Sequence, residues 1–482
     1  MGHKLAKGTI YLTFSKVGDV FSNYIIHIVL ARLLGPEVYG NFGIILSLIL
    51  ITKTIFLTGF YRAISKYVSE NKDKVAGIFN AGFKILFAYS IICIISFFIF
   101  SQSIANFFKE PSLAGIIFFS SFIALTEGLS GLLTAGIMNG LLLFKEQAKV
   151  NLFDSFFKII IALTLVFFGF GLFGAVTAYI LAPLFASVVA LIIIKGRLSI
   201  GGYKEKFSKA AIIKFTLPLS IFFSSMTLLT DSSLLLVKSI LIDDTLTGLY
   251  ASALTFGKLL LSLGVSLQLT ILPSVSSAIA DNNFELIRKY IKQSMRYSLM
   301  LLLPMTVLIS THAEQILAFF YSNSFIGGAV PLSILVLGFA FFSLFMTQCS
   351  ILFGANKPKI AMLIVILTLI SSYALNTKLI PILGLSGAAA ATTITAFLGL
   401  VLVSVYTFVK FKALISLRSF FNITVASLIT YFLAYFWNLP GKLFFISLSL
   451  LSVLYILLLV LLKEIKEEDK EIVKSLLKRS KG

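Results

Sequence analysis

Apolar stretches recur along the whole chain and are separated by short polar breaks. A helix of about 20 apolar residues crosses the hydrocarbon core of a bilayer, so each stretch of that size predicts one transmembrane span. The pattern predicts fourteen spans, at residues 9–30, 39–60, 76–100, 113–137, 150–169, 171–194, 212–237, 248–272, 293–310, 330–352, 358–377, 384–409, 419–437 and 441–462. We therefore expect an all-α polytopic membrane protein.

Polar residues interrupt the first two spans at depths where a bilayer tolerates few charges. Lys16, Asp19, Asn23 and His27 follow the spacing i, i+3, i+7 and i+11, which places them on one stripe of the first helix. Lys53 lies within the second span. A charge at the membrane centre costs roughly 3 kcal/mol or more, so such residues usually face a protein interior or a wet cavity. The first two spans are expected to line a polar path.

Composition excludes an ordinary soluble domain. Apolar residues make up 58% of the chain and mean hydropathy is +1.01, whereas soluble domains are about 45–50% apolar. The formal net charge is +20, but the cations fall between apolar runs and not on one face, which argues against nucleic acid as a partner. Cys93 and Cys349 lie far apart in apolar spans, so no disulfide or metal site is expected. His3 and His312 are expected at the surface.

The distribution of cations predicts the orientation of the chain. With the N-terminus in the cytoplasm, thirty of the 40 Lys and Arg residues fall in segments on the cytoplasmic side and five on the outer side. Such a bias is the signature of membrane topology. We expect a multi-pass protein of the cell (plasma) membrane with both termini in the cytoplasm, and the first span is expected to be retained and not cleaved as a signal peptide.

The two halves of the chain repeat each other. Ser103–Phe108 is echoed by Gln315–Phe320 and Gly171–Ala175 by Gly384–Ala388. Six spans in each copy give both copies the same membrane orientation, as in transporters whose substrate cavity lies between parallel halves. The predicted division is an N-terminal six-helix lobe at 1–197, a C-terminal six-helix lobe at 198–410, two additional transmembrane helices at 411–462 and a cytoplasmic amphipathic tail at 463–482.

A family resemblance rests on several segments in a fixed order. They are Ala31–Gly40, Gly59–Lys66, Phe353–Lys357 and Gly384–Thr392. Together they resemble polysaccharide biosynthesis flippases, the Wzx-like branch of the superfamily that also holds multidrug and toxic-compound extrusion (MATE) transporters and murein lipid flippases. The resemblance runs across at least residues 4–408. It implies two lobes in a V-shape that move lipid-linked oligosaccharides by alternating access.

The resemblance also implies which residues meet the substrate. Flippases for lipid-linked sugars place cations on their first, second and eighth helices to face the pyrophosphate, and Lys acts on phosphate as a point charge. On these helices the chain has Lys16, Lys53 and Lys258. Three further residues are expected to bind substrate because of their own positions: Asn23 on the polar stripe, Arg32 at the outer mouth and Lys158 on the fifth span.

Several of these charges have a purely structural alternative. Lys16 with Asp19, and Asp154 with Lys158, have the spacing of neutralising intrahelical pairs. Lys84 has the alternative of extending to the cytoplasmic surface. Against this, the buried lysines outnumber the buried acids, which favours an anionic ligand.

A coupling ion, Na⁺ or H⁺, is expected, and no other cofactor. The resemblance to murein lipid flippases implies a cation between the seventh, eleventh and twelfth helices, where the chain offers the oxygen ligands of Asp231, Asn376 and Thr392 or Thr393. The alternative is that Asp231 is a cap residue near Lys238 at the outer end. Asp19 is the rival coupling residue, because a carboxylate inside a membrane can carry a proton.

Three functional classes compete. A flippase acting on a polyprenyl-(di)phosphate-linked saccharide is favoured, and an ion-coupled small-molecule or multidrug extruder on the same fold is the alternative. A membrane enzyme is disfavoured because the outer loops are short and hold no metal-spaced cluster of His or acidic residues. The flippase is expected to be a monomer in the lipid bilayer.

Overall fold

Helices form all the regular structure in the described part of the chain, which confirms the all-α class. The computed structural model describes residues 2–198, 207–437, 443–466 and 469. The predicted tail 463–482 and the start of the last predicted span therefore lie largely outside the described residues. The helices are α1 (Gly2–Thr52), α2 (Thr58–Glu70), α3 (Val75–Phe107), α4 (Ala114–Ser120), α5 (Ile123–Gly131), α6 (Phe144–Leu165), α7 (Gly171–Leu198), α8 (Lys209–Leu241), α9 (Asp244–Gly257), α10 (Leu259–Ala280), α11 (Phe284–Thr311), α12 (Ala313–Phe320), α13 (Ala329–Gly354), α14 (Pro358–Phe411), α15 (Leu417–Phe436) and α16 (Phe444–Leu461).

Short segments of tighter or wider helix connect some of these elements. The wider, π-helical segments are Lys53–Leu57, Leu132–Met138 and Val166–Phe170. The tighter 3₁₀ turns are Lys72–Lys74, Pro111–Leu113 and Asn323–Gly328.

Eleven helical stretches among the described residues are long and apolar enough to cross a membrane. The protein is thus a multi-pass membrane protein, as its hydropathy predicts. Three stretches each contain two of the predicted spans: Tyr11–Glu70, Phe144–Lys195 and Pro358–Phe411, of 60, 52 and 54 residues. The count of fourteen spans stays a prediction.

Each of these three long stretches is broken at a glycine. Gly35 has φ 74° and ψ 172°, and Gly384 has φ 57° and ψ −133°. Residues with a side chain reach such conformations only with strain, so glycine permits a turn where the backbone would otherwise continue as one helix. Gly169, at φ 89°, marks the third break. All three breaks fall where the sequence predicts a boundary between two spans.

The chain divides into two compact units. The first comprises Met1–Ser252 with Asn376–Gly384, and the second comprises Ala253–Leu375 with Leu385–Gly482. Helix α8 packs on α1 and α2 within the first unit. The predicted lobes, with their boundary at 197–198, stay a prediction.

The first unit contains a backbone contact without intervening side chains. A Cβ atom added to Gly248 of α9 would lie 1.8 Å from the carbonyl oxygen of Pro36 in α1. Any larger residue at position 248 would therefore push the turn at Pro36 away. The turn predicted between the first two spans is a packing surface for α9.

A buried lysine supports the same region. Lys238 of α8 is 1% exposed and pairs with Glu110, at 3.7 Å between Nζ and Oε2, and with Asp244. The sequence predicts Lys238 at the outer end of its span. The structure neutralises it with two carboxylates, because an unpaired ammonium at this depth of burial carries a large desolvation cost.

The second unit is fastened near the middle of α11 by a group that we call the C-terminal clamp: Arg296, Glu464 and Asp469. Arg296 Nε donates to Glu464 Oε1 at 2.6 Å, and Nη2 donates to Asp469 Oδ2 at 2.7 Å. Arg296 and Glu464 are both buried. Asn422 of α15 donates to Glu464 Oε2 at 3.2 Å. The clamp therefore joins α11 to α15 and to the segment after α16.

The C-terminal end of α11 is fastened by His312, which directly follows the helix. The expectation that His312 is a surface residue is wrong, since it is 0% exposed. Its Nε2 lies 3.1 Å from the hydroxyl of Ser447 in α16, and that hydroxyl donates to the carbonyl of Trp437. A neutral imidazole with such a partner can be buried at little cost, and the sequence around His312 holds no sign of that partner.

Replacing Arg296 by Met leaves the buried carboxylate of Glu464 without its guanidinium. We expect the free energy of unfolding to fall by about 3 kcal/mol, the scale on which breaking a buried ion pair destabilises a protein. Thermal unfolding in detergent measures the change. The double variant Arg296→Met, Glu464→Leu should recover most of the loss, and Arg418→Gln, at an exposed position, is the control. Equal unfolding temperatures for Arg296→Met and the control would contradict the stabilising role of the clamp.

The clamp should also persist at mildly acidic pH. Partial burial acts to raise the pKa of Asp469, but hydrogen bonds from Arg296, the Lys466 backbone and Tyr297 outweigh it and lower that pKa to about 2. A carboxyl pKa that is lower in the folded state stabilises the protein above its unfolded value of about 3.9 and stops doing so as pH falls. The unfolding temperatures of the native protein and of Asp469→Asn should therefore differ by a constant amount from pH 8 to about 5 and converge towards pH 2. A difference that vanishes by pH 6 would contradict this.

Candidate functional site

Six charged side chains form three ion pairs within the first unit, and we call them the charged cluster: Lys16, Asp19, Lys53, Glu127, Asp154 and Lys158. Lys16 Nζ lies 2.8 Å from Asp19 Oδ2, and Lys158 Nζ lies 3.3 Å from Asp154 Oδ2. These are the two intrahelical pairs whose spacing the sequence reveals. Lys53 pairs with Glu127, 74 positions away, so no spacing rule could predict that pair.

The three pairs lie near enough to one another to interact electrostatically. Asp19 interacts with Lys53 and Lys158 in addition to its own partner, and Glu127 also interacts with Lys158. The cluster holds three lysines and three carboxylates, so its formal charge is zero. The expected surplus of lysines is therefore not found here, because each lysine has a carboxylate to offset its cost in a membrane.

The polar stripe of α1 contacts two neighbouring helices. Ser155 of α6 donates to Asp19 Oδ1 at 3.2 Å, and the hydroxyl of Tyr179 in α7 lies 3.5 Å from Asn23 Oδ1. His27, at the far end of the stripe, is buried with its Nδ1 2.8 Å from the hydroxyl of Tyr39. The stripe predicted from spacing is thus a row of side chains that meet α6, α7 and the following segment of α1.

The pairs differ in accessibility. The side chains of Lys16 and Asp19 are 66% and 43% exposed, and that of Lys53 is 35% exposed, whereas Lys158 and Asp154 are 15% and 18% exposed. Lys158 also lies over the ring of Tyr179, at 5.2 Å from its centroid. An incoming anion would therefore reach Lys16 and Lys53 more easily than Lys158.

The remaining predicted substrate residues lie elsewhere. Arg32 is exposed on α1, three positions before the break at Gly35. Lys258 is half-buried between α9 and α10 and belongs to the second unit. Lys84 is exposed on α3. This agrees with the alternative that its side chain extends to a surface and does not bind substrate.

The residues proposed for a coupling ion are buried. Asp231 is 4% exposed within α8 and accepts a hydrogen bond from Thr230 Oγ1 at 2.8 Å. Asn376 is 0% exposed in the first unit, and Thr392 of the second unit donates to the carbonyl of Ala388 at 2.9 Å. Among the described residues no group of three or more His, Cys, Asp or Glu side chains could hold a metal ion. A cation site at Asp231, Asn376 and Thr392 stays a prediction.

The fold matches solved membrane transporters. The lipid II flippase MurJ in an inward closed conformation is 16% identical, with 95% of this chain and 99% of that chain covered and a TM-score of 0.75. An inward-facing multidrug resistance MATE transporter is 14% identical, with 82% and 94% covered and a TM-score of 0.67. The chain therefore has the fold of these MurJ and MATE proteins.

Sequence comparison gives the family. A model described as polysaccharide biosynthesis protein matches residues 29–329, and the chain belongs to that family. An uncharacterized membrane protein of Methanocaldococcus jannaschii is 24% identical over 426 residues, which cover 85% of this chain and 99% of that protein. The resemblance based on short segments such as Ala31–Gly40 is confirmed.

The pairing of Lys53 with Glu127 can be tested through stability. Lys53→Gln leaves a carboxylate that is 19% exposed without its cation, and we expect a loss of about 2 kcal/mol, the scale of a hydrogen bond to a charged group. Lys53→Gln with Glu127→Gln should recover most of it, because two amides can hydrogen-bond to each other. The exposed Lys84→Gln is the matched control. Thermal unfolding in detergent would refute the pairing if the double variant were the least stable of the three.

Proposed function

We propose that this protein is a flippase that moves a lipid-linked oligosaccharide, carried on a polyprenyl phosphate or diphosphate, from the cytoplasmic to the outer leaflet by alternating access. Membership of the polysaccharide biosynthesis family supports the class of substrate. The accessible pair of Lys53 with Glu127, which joins two helical stretches that are each apolar enough to cross a membrane, is the observation that carries the proposal. In this proposal both termini lie in the cytoplasm and the protein acts in the plasma membrane as a monomer.

The ion pairs suggest how an anionic headgroup binds. A phosphate oxygen and a carboxylate oxygen are chemically similar partners for a lysine ammonium. A headgroup can therefore take the place of Glu127 at Lys53, and of Asp19 at Lys16, so that the lysines stay paired in both states. Such an exchange avoids the cost of an unpaired cation in the membrane before the substrate arrives.

The exchange also suggests a link to ion coupling. A carboxylate that loses its lysine to phosphate becomes an uncompensated anion in a membrane, and a proton or Na⁺ can neutralise it. The contacts of Asp19 with both Lys16 and Ser155 support that role for Asp19. Asp231, Asn376 and Thr392 form the second candidate site for the coupling ion. Coupling of this kind favours one conformation only if ion and substrate bind the two states unequally.

Other predicted cations take supporting roles in this proposal. Lys158 is largely buried and paired with Asp154. It therefore adds positive charge to the cluster but makes less direct contact with the headgroup than Lys16 and Lys53. Lys258 and Arg32 add positive charge for the headgroup, and Asn23 offers an amide to sugar or phosphate oxygens.

An ion-coupled extruder of small organic cations is the second candidate. The equal number of lysines and carboxylates in the charged cluster favours it more than the sequence did, because a cation can bind Asp19 or Glu127 in exchange for lysine. A positively charged substrate would bind the carboxylate of a pair, whereas a lipid phosphate would bind its lysine.

The proposal is tested in proteoliposomes with a fluorescent polyprenyl diphosphate disaccharide whose leaflet is determined by an impermeant quencher. We expect the native protein to transfer the probe and the triple variant Lys16→Gln, Lys53→Gln, Glu127→Gln to be slower by about tenfold or more, the effect of losing one or two charged contacts. Including Glu127→Gln avoids leaving the carboxylate of Glu127 without its lysine. Asp19 loses Lys16 in this variant but keeps its hydrogen bond from Ser155. Lys84→Gln is the control and should transfer at the native rate.

The same vesicles distinguish the two candidates. Transport of ethidium but not of the lipid probe by the native protein would establish the extruder and overturn the flippase. Native rates in the triple variant would remove the charged cluster from the transport mechanism.

A further inference from the structure

Two π-helical segments adjoin the pair of Lys53 with Glu127. Lys53–Leu57 begins at the lysine itself, and Leu132–Met138 begins five residues after the glutamate. Segments of this kind are rare, and they recur at functional sites because the wider turn redirects the side chains around it. Lys53 therefore begins one π-helical segment, and Glu127 lies about one helical turn before the other.

A tyrosine hydroxyl holds the backbone at each member of the pair. Tyr89 of α3 donates to the carbonyl of Thr52, the residue before Lys53. Tyr61 of α2 donates to the carbonyl of Glu127 itself at 3.0 Å. Each charged residue is thus attached through its main chain to a helix other than its own.

Both tyrosine rings are fixed by packing. A Cβ atom added to Gly131 would lie 2.1 Å from the ring of Tyr61, so α5 approaches α2 as closely as a glycine permits. Tyr61 is 7% exposed. The ring of Tyr89 stacks on Phe56, inside the first π-helical segment, with 4.8 Å between centroids. The two hydroxyls are therefore held by rings that have little freedom to move.

We propose that Tyr61 and Tyr89 are positioning residues that fix Lys53 against Glu127. Neither tyrosine touches the substrate. Tyr61 acts through the main chain of Glu127, and Tyr89 acts through that of Thr52, the neighbour of Lys53. Together they set how readily an anionic headgroup exchanges for the Glu127 carboxylate. The effect on the headgroup rests on the proposed function, whereas the effect on the pair itself does not.

The first measurement needs no substrate. The decrease in unfolding temperature caused by Tyr61→Phe is measured in the native protein and in the Lys53→Gln, Glu127→Gln background, and likewise for Tyr89→Phe. A hydroxyl that holds the pair should matter less once the pair is gone, whereas a hydroxyl that only fastens two helices should give the same decrease in both backgrounds. Tyr67→Phe is the matched control. Tyr67 lies on α2 like Tyr61, but its hydroxyl donates to the carbonyl of Ala211, at 3.2 Å, and not to the main chain beside the pair. Its effect should be additive.

The second measurement uses farnesyl diphosphate as the probe. We expect Tyr61→Phe and Tyr89→Phe to change its dissociation constant by about fivefold, the effect of one hydrogen bond, and to change the KM of the transport assay more than its kcat. Tyr67→Phe should leave both at the native value.

The two measurements separate the outcomes. Additive effects of Tyr61→Phe and Tyr89→Phe in both backgrounds would overturn the positioning role, whatever the probe does. Non-additive effects with no binding of farnesyl diphosphate to the native protein would keep the positioning role and count against a diphosphate substrate. Non-additive effects with altered probe binding support both.

Discussion

The cost of placing a charge inside a bilayer is the constraint on which this structure depends. An isolated ammonium or carboxylate at the membrane centre costs roughly 3 kcal/mol or more. The first unit meets that cost by giving each lysine of the charged cluster a carboxylate, at 2.8 Å for Lys16 and Asp19. Charged side chains can then be kept in the membrane without a net charge.

The related cost of burying a charge inside the protein explains the clamp near the middle of α11. Arg296 is 5% exposed and Glu464 is 2% exposed, yet their hydrogen bonds to one another, to Asp469 and to Asn422 satisfy most of their polar atoms. Buried polar groups are tolerated when they are paired in this way. Ion pairs therefore serve two purposes here: one group remains partly accessible, and the other fastens helices together.

In the proposed mechanism, neutral pairs change what substrate recognition requires. Unpaired cations would attract any anion, whereas lysine–carboxylate pairs would bind an anion only by exchange. The strength of each pair then matters as much as its charge. This gives a functional meaning to the main-chain contacts that hold Lys53 and Glu127, because geometry controls how strongly two opposite charges attract each other.

Local periodicity and composition determined much of this protein from sequence alone. Runs of apolar residues predict the helices and the membrane class, and spacings of three and four residues predict the pairs at Lys16 and Lys158, because a helix places such neighbours on one face. Lys53 with Glu127, 74 positions apart, Arg296 with Glu464, 168 positions apart, and the burial of His312 were decided by tertiary structure. These contacts join different helices, and hydropathy along the chain carries no information about which helices become neighbours.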